Sequence, residues 1–361
     1  MTTTPTGGLT ESLTSQLRDP RAMPTVIEYL YDQDWSDGLP LVPATREGVD
    51  AFLATTNRDP GEVIGRLERL DREVNVELAA INALMAGCRP EYFPVVLAAW
   101  DSLMKDHVAT RGAFQSTAGP APLLIVNGPI RQQLGINSQG GAFGPGFRAN
   151  ATIARSLGLM VRNALGVRPQ VFEQSTQGTP GRWSICLGEN EEESPWEPMS
   201  NELGAPSGSS TVTATFVRSV EFVDNRHSNK VEHVLHDLAD TMSRTGSWVF
   251  GTSAIAVVLN PEHARMLHAA GMTRQEVREW LFEHSGRSGH LLARSGKDEV
   301  TSSRARGPSG TDGRPGFQRV LEASSVENLL IAVSGAPNAG ISMVCKIMSK
   351  WSGTTTPIEG T

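Results

Sequence analysis

Short, unbroken apolar runs, each released by a turn and followed by a helical pattern, set the strongest limit on how this chain folds. Leu123-Leu-Ile-Val126, Ile255-Ala-Val-Val-Leu259 and Leu329-Leu-Ile-Ala-Val333 are apolar at every position. Such a strand has no face for water and belongs in a sheet covered on both sides. Trp183-Ser-Ile-Cys-Leu187 is a further strand, and Thr211 to Val217 alternates in β-branched fashion. Helices are expected at about 46–56, 75–87, 92–106, 149–165, 230–243 and 273–284. The second carries Val76, Ala79, Ala80, Ala83 and Leu84 on one stripe, and Gly87 with Pro90 stops it. Asn260-Pro261 opens another helix, and Ser334 to Gly340 should lead into a last one. This alternation predicts an α/β fold.

Leu124-Ile-Val-Asn-Gly-Pro-Ile-Arg131 and Val257-Val-Leu-Asn-Pro-Glu-His-Ala-Arg265 share the order strand, Asn, Pro, helix, Arg. The match suggests two related α/β modules, an internal duplication, with mixed or parallel sheets around a shared cleft. Ordinary recurrence of strand–turn–helix units is the alternative. The expected divisions are a flexible arm over 1–20, a first module over 21–222, a second over 223–351 and a flexible tail over 352–361. Residues 295–316, rich in Gly, Ser and Arg and without periodicity, form a mobile insert in the second module.

The net charge of −7 and the absence of a dense basic run exclude a nucleic-acid binder. No apolar stretch approaches the roughly 20 residues that span a bilayer, so no membrane role is expected. The Thr/Ser/Gly-rich start lacks the apolar centre of a secretory signal, which makes the cytoplasm the expected compartment. Cys88, Cys186 and Cys345 lie far apart in apolar surroundings and read as buried, inert thiols.

Four glycines in seven residues (Gly140, Gly141, Gly144, Gly146) join the first strand to the helix that opens near Ala149. Free N–H groups and the dipole at a helix start favour an anion. Gly144, Gly146, Arg148 and Asn150 are therefore candidate substrate-binding residues, with Arg155 and Thr152 nearby. The competing reading is a plain turn between packed elements. The loop lacks the Gly-Lys-Ser/Thr of a Walker motif and the spacing of a dinucleotide fingerprint, so no nucleotide cofactor is expected. Asn127 and Asn82 are further candidate donors, Asn82 being either a core tie or a pocket group.

Glu189-Asn-Glu-Glu-Glu193 follows a strand, where the ends of sheet strands commonly build sites. Crowded carboxylates repel, so one can hold a proton and act as an acid. The same oxygens could ligate a divalent metal, and a solvated acidic loop is the bland alternative. Glu189 and Glu191, with His227 in the polar turn Asp224–Asn229, are the candidate catalytic residues, and Trp196 the candidate pocket wall. Ser228 or Asn229 could equally be a helix cap. His233 and His236 lack a matching third ligand, and His263 reads as structural.

Several strings resemble a family of bacterial proteins associated with small partners carrying a Sec/Cys-Gly-Ser-Cys (UGSC-type) motif. They are Asp34-Trp-Ser-Asp-Gly-Leu-Pro-Leu-Val-Pro43, Asn82-Ala-Leu-Met-Ala-Gly-Cys-Arg-Pro-Glu-Tyr92, Val126-Asn-Gly-Pro-Ile-Arg131, Phe143-Gly-Pro-Gly-Phe-Arg-Ala-Asn-Ala-Thr152, Glu189-Asn-Glu-Glu192 and Ser194-Pro-Trp-Glu-Pro198. The resemblance covers most of residues 25–290 and departs from the family at Gly335-Ala336, where a Gly-Gly pair is expected. It implies that a UGSC-type partner holds the redox group. Two functions follow as expectations. One is an enzyme, or the large subunit of one, performing hydrolysis, elimination or hydration on a small anionic metabolite. The other is a non-catalytic subunit that presents substrate to a thiol- or selenol-bearing partner. A homo-oligomer is an alternative assembly.

Overall fold

The computed structural model describes residues 23–105, 112–248, 254–297, 316–321, 325–348 and 355–360. Two short hairpins stand apart, β1 (Val63–Leu67) with β2 (Arg72–Asn75), and β7 (Gly286–Ser288) with β8 (Phe317–Arg319). The rest of the strands form one seven-stranded sheet: β3 (Ala121–Asn127), β4 (Ile185–Gly188), β5 (Thr211–Asp224), β6 (Ile255–Leu259), β9 (Leu329–Val333), β10 (Ile341–Ile347) and β11 (Thr356–Pro357). The order is β4-β3-β5-β10-β6-β9, with β11 on β5.

The fold is α/β and the sheet is mixed. β3 runs parallel to β4 and antiparallel to β5, while β6 runs parallel to β9 and antiparallel to β10. β5 and β10 pair antiparallel and join the two sides, so the two expected sheets are one, with the same pairing plan on either side of the join. β5 passes straight through the expected division at 222/223.

Alternation along each apolar strand sends side chains to two different cores. Leu124, Val126, Cys186, Val212 and Phe216 meet the helices of the first half, α1 (Val76–Met85), α2 (Phe93–Lys105) and α3 (Arg148–Leu159). Ile255, Val257, Ile331, Val333 and Val344 meet α4 (Val231–Met242), α5 (Pro261–Ala269) and α6 (Arg274–His284). The opposite face packs on itself around Leu123, Ile125, Ile185 and Leu187 with Ala121, Ala254, Ala256, Ala332 and Cys345. Small side chains there let the sheet curl until β4 and β9 meet. Asn190 N–H donates to Val333 O at 2.7 Å, and Ser334 Oγ donates to Gly188 O at 2.9 Å and Ser138 O at 3.1 Å.

Three expectations change. Residues 341–347 are a strand, not a helix, because β5 and β6 pair with them on both edges and alternate side chains fill two cores. The tail expected to be loose is tied over 355–360, where β11 pairs with Thr211 and Val212 and Ile358 is buried. The helix expected over 149–165 ends as α-helix at Leu159 and continues as a π turn, Met160–Ala164. The arm over 1–20 and most of the 295–316 insert lie outside the described residues. Among the described residues, no helix is long and apolar enough to cross a membrane.

Candidate functional site

The acidic segment leaves β4 beside the end of β3, and each of its four carboxylates meets an arginine. Glu189 is fully buried. One oxygen accepts from Asn127 Nδ2 at 2.5 Å and Met199 N–H at 2.7 Å; the other faces Arg274 Nη2 at 3.2 Å. Arg274 is itself 1% exposed. Burial pushes the Glu189 carboxyl above its usual range, against the pull of Arg274 and the Asn127 hydrogen bond. In this setting Glu189 is a clasp between α6 of one half and β3 and β4 of the other.

Glu191 is positioned differently. Its Oε1 accepts from Asn127 Nδ2 at 2.9 Å and Gly128 N–H at 2.8 Å, and its Oε2 lies 2.8 Å from Arg131 Nη2. It remains 17% exposed and lines a cavity of about 200 Å³ with Glu192, Gln132, Ser200, Asn201 and Ser209. Gly128 has φ +85°, and a Cβ there would lie 2.3 Å from Ser209 O, so position 128 admits no side chain. Arg131 is buried and spent: it donates to Gly128 O and Glu189 O and pairs with Glu191 and Glu192. The Arg131 hydrogen bond holds the Glu192 carboxyl below its usual range. Glu193 pairs with Arg265 at 2.8 Å. Both arginines of the repeated Asn-Pro-Arg string thus close on the acidic loop, a role their spacing signalled only as repetition.

The structure brings Glu189, Glu191 and Asn127 together, with Trp196 next to them on Arg274. The Trp196 ring lies under the Arg274 guanidinium, 5.6 Å from centroid to Cζ, and its Nε1–H donates to Met272 O at 3.2 Å. The remaining candidates sit elsewhere. His227 is exposed past the end of β5, whose other end pairs Thr211 with Asn127. Arg148 donates to Gly87 O at 2.9 Å. Asn150 is buried and bonds Asn137 on both its amide atoms and Cys186 O at 2.9 Å, fixing the start of the glycine loop. Gly144 and Gly146 are exposed, and Gly146 takes φ +128°. Arg155 turns away from the loop to Asp37 at 2.7 Å. Asn82 is a core tie, donating to Leu78 O and accepting from Asn163.

Buried His263 bonds Ser342 Oγ at 2.8 Å, and burial holds its imidazole below the usual range. Among the described residues, no group of three His, Cys, Asp or Glu side chains is placed to hold a metal ion. All three thiols are buried, and burial pushes each up to about 12. The native protein should therefore leave a disulfide colour reagent unreacted at pH 8 and release three equivalents once unfolded. Rapid reaction of a native thiol would contradict this burial.

Comparisons of the chain with protein-family models, curated proteins and solved structures return no match.

Proposed function

We propose that the chain is an enzyme, or the large subunit of one, that moves protons on a small polar substrate with Glu191. What carries the reading is the arrangement of that carboxylate. It stands at the ends of parallel strands β3 and β4, held by three donors yet open to a cavity. An oriented carboxylate of this kind serves as a general base, and strand ends of α/β sheets are where such groups are usually mounted. Exposed Glu192 and Gln132, with Asn201 and Ser209, suit a substrate bearing hydroxyl or amino groups. Hydrolysis, elimination and hydration share this need for a base. The glycine loop lies outside this cavity, and its Arg148 and Asn150 are engaged elsewhere. Buried, unpaired thiols are ordinary in the cytoplasm, where we place the chain.

Glu191→Gln keeps the shape of the group and removes its basicity. Screening the purified chain against a panel of small polyols, amino alcohols and amides by NMR should reveal turnover that this variant lowers by about 10²–10⁴-fold. Undiminished turnover in a folded Glu191→Gln protein would sink the assignment.

A second reading has its own support. With every thiol buried and pushed to about 12, this chain supplies no thiolate. Any thiol or selenol step would then belong to a partner of the UGSC type. Turnover that appears only when such a partner is added, and that still falls in Glu191→Gln, would favour a shared active site.

A further inference from the structure

At the opposite end of β4, a cleft of about 210 Å³ opens between α3 and the loop that leads into the strand. Its wall sets Trp183, Val161, Val167 and Pro169 beside two guanidiniums, Arg162 and Arg182, and two carboxylates, Asp37 and Glu173. It shares no lining residue with the Glu191 cavity.

Two backbone irregularities shape this cleft. Trp183 adopts φ +62°, a left-handed conformation that is a genuine outlier for a bulky side chain. Val161 and Arg162 sit on the π turn at Met160–Ala164, and such turns concentrate at functional positions. Together they fix the indole. Phe114 and Phe216 pack on it at ring-centroid distances of 6.5 and 6.4 Å. Gly158 lies so close that a Cβ there would fall 2.7 Å from Trp183 Cγ.

The lining balances two guanidiniums against two carboxylates, but the ion pairs that hold them do not balance. Asp34 pairs with Arg162 and Arg168, Asp37 with Arg155, and Glu173 with Arg182 at 2.8 Å. Four guanidiniums thus share three carboxylates in the network around the cleft, Asp34 serving both Arg162 and Arg168. Arg162 bonds only through Nη2 and Arg182 only through Nη1, and the Nε atoms of both are buried without a partner. Among the described residues, Nη1 of Arg162 and Nη2 of Arg182 make no hydrogen bond. A guanidinium fork prefers a planar anion, and an indole with apolar neighbours prefers a flat apolar body.

We infer that this cleft binds a flat, mainly apolar molecule carrying one carboxylate, its ring against Trp183 and its anion between Arg162 and Arg182. Benzoate is a suitable probe, with neutral benzamide as its isostere. Titration of the full chain, followed by NMR, should show saturable benzoate binding in the millimolar range or tighter, with benzamide at least about 10-fold weaker. Arg162→Gln should weaken benzoate by about 10–100-fold. Arg182→Lys keeps the charge beside Glu173 and loses the fork, and it should weaken binding in the same direction. If Arg162→Gln does not fold, Arg182→Lys and the benzamide comparison carry the test. No saturable benzoate binding up to about 20 mM, benzamide binding as well as benzoate, or unchanged affinity in the folded variants would overturn the inference. None of these outcomes bears on Glu191.

Discussion

Glu189→Ala is expected to cost about 2–4 kcal/mol of stability, because it removes the fully buried one of the two carboxylates on Arg274 and leaves that buried guanidinium only the part-exposed Glu202. The lost carboxylate also strands Asn127 Nδ2 and the Met199 N–H. Urea unfolding of Glu189→Ala beside Glu191→Ala separates the two carboxylates. Each arginine keeps a second carboxylate, Glu202 on Arg274 and Glu192 on Arg131, so burial makes the difference: Glu191 is partly exposed, and its removal should cost distinctly less. A loss below about 1 kcal/mol at Glu189 would mean that the ion pair is no clasp.

The next largest effect should come from Lys346, which is fully buried on β10 with Nζ donating to Arg244 O at 3.3 Å. Burial, with help from the nearby Arg218 charge, pulls its ammonium from 10.5 down to about 7. Below pH 7 the lysine is charged in both folded and unfolded states, and the folded state bears the full cost of burying it. Between pH 7 and about 10.5 the unfolded chain still binds the proton that the folded chain has released, so stability from this group rises with pH. Lys346→Met should therefore stabilise the protein at pH 6, by roughly 2–5 kcal/mol at one pKa unit per 1.4 kcal/mol. The advantage should fade by pH 10. Thermal midpoints of both proteins across that range test the sign, and a gain that grows with pH would refute it.

Legibility in the sequence follows the range of the interactions. The runs at 123–126, 255–259 and 329–333 were readable because a strand buried on both faces has to be apolar throughout. α1 was readable from its apolar run and its glycine stop, although it is buried around most of its circumference and not along the one stripe expected. β10 was not, since Ser342 and Lys346 break its apolar pattern, and their partners, His263 and Arg244, are distant in sequence. The second half of β5, with Arg218, Ser219, Glu221 and exposed Phe222, likewise becomes strand through its pairing with β10. At the site, local sequence brought out Glu189, Glu191 and Asn127. It could not separate the sealed carboxylate from the open one, because Arg274 and Arg131 reach them across separations of 85 and 60 residues. The left-handed Trp183 left no sequence signal either, since tryptophan rarely occupies that conformation.

The meeting of β4 and β9 has a consequence for how this protein fails. Each is the outermost strand on its side of the sheet, only four or five residues long, and unpaired strand edges are templates for joining other chains. Here Asn190, Ser334 and the Glu189 side chain lace the ends of those two edges to each other. Loosening that lacing would expose both edges at once, while the helices on either side kept their cores. The early sign of damage at this seam would be self-association of molecules that still retain their helical content.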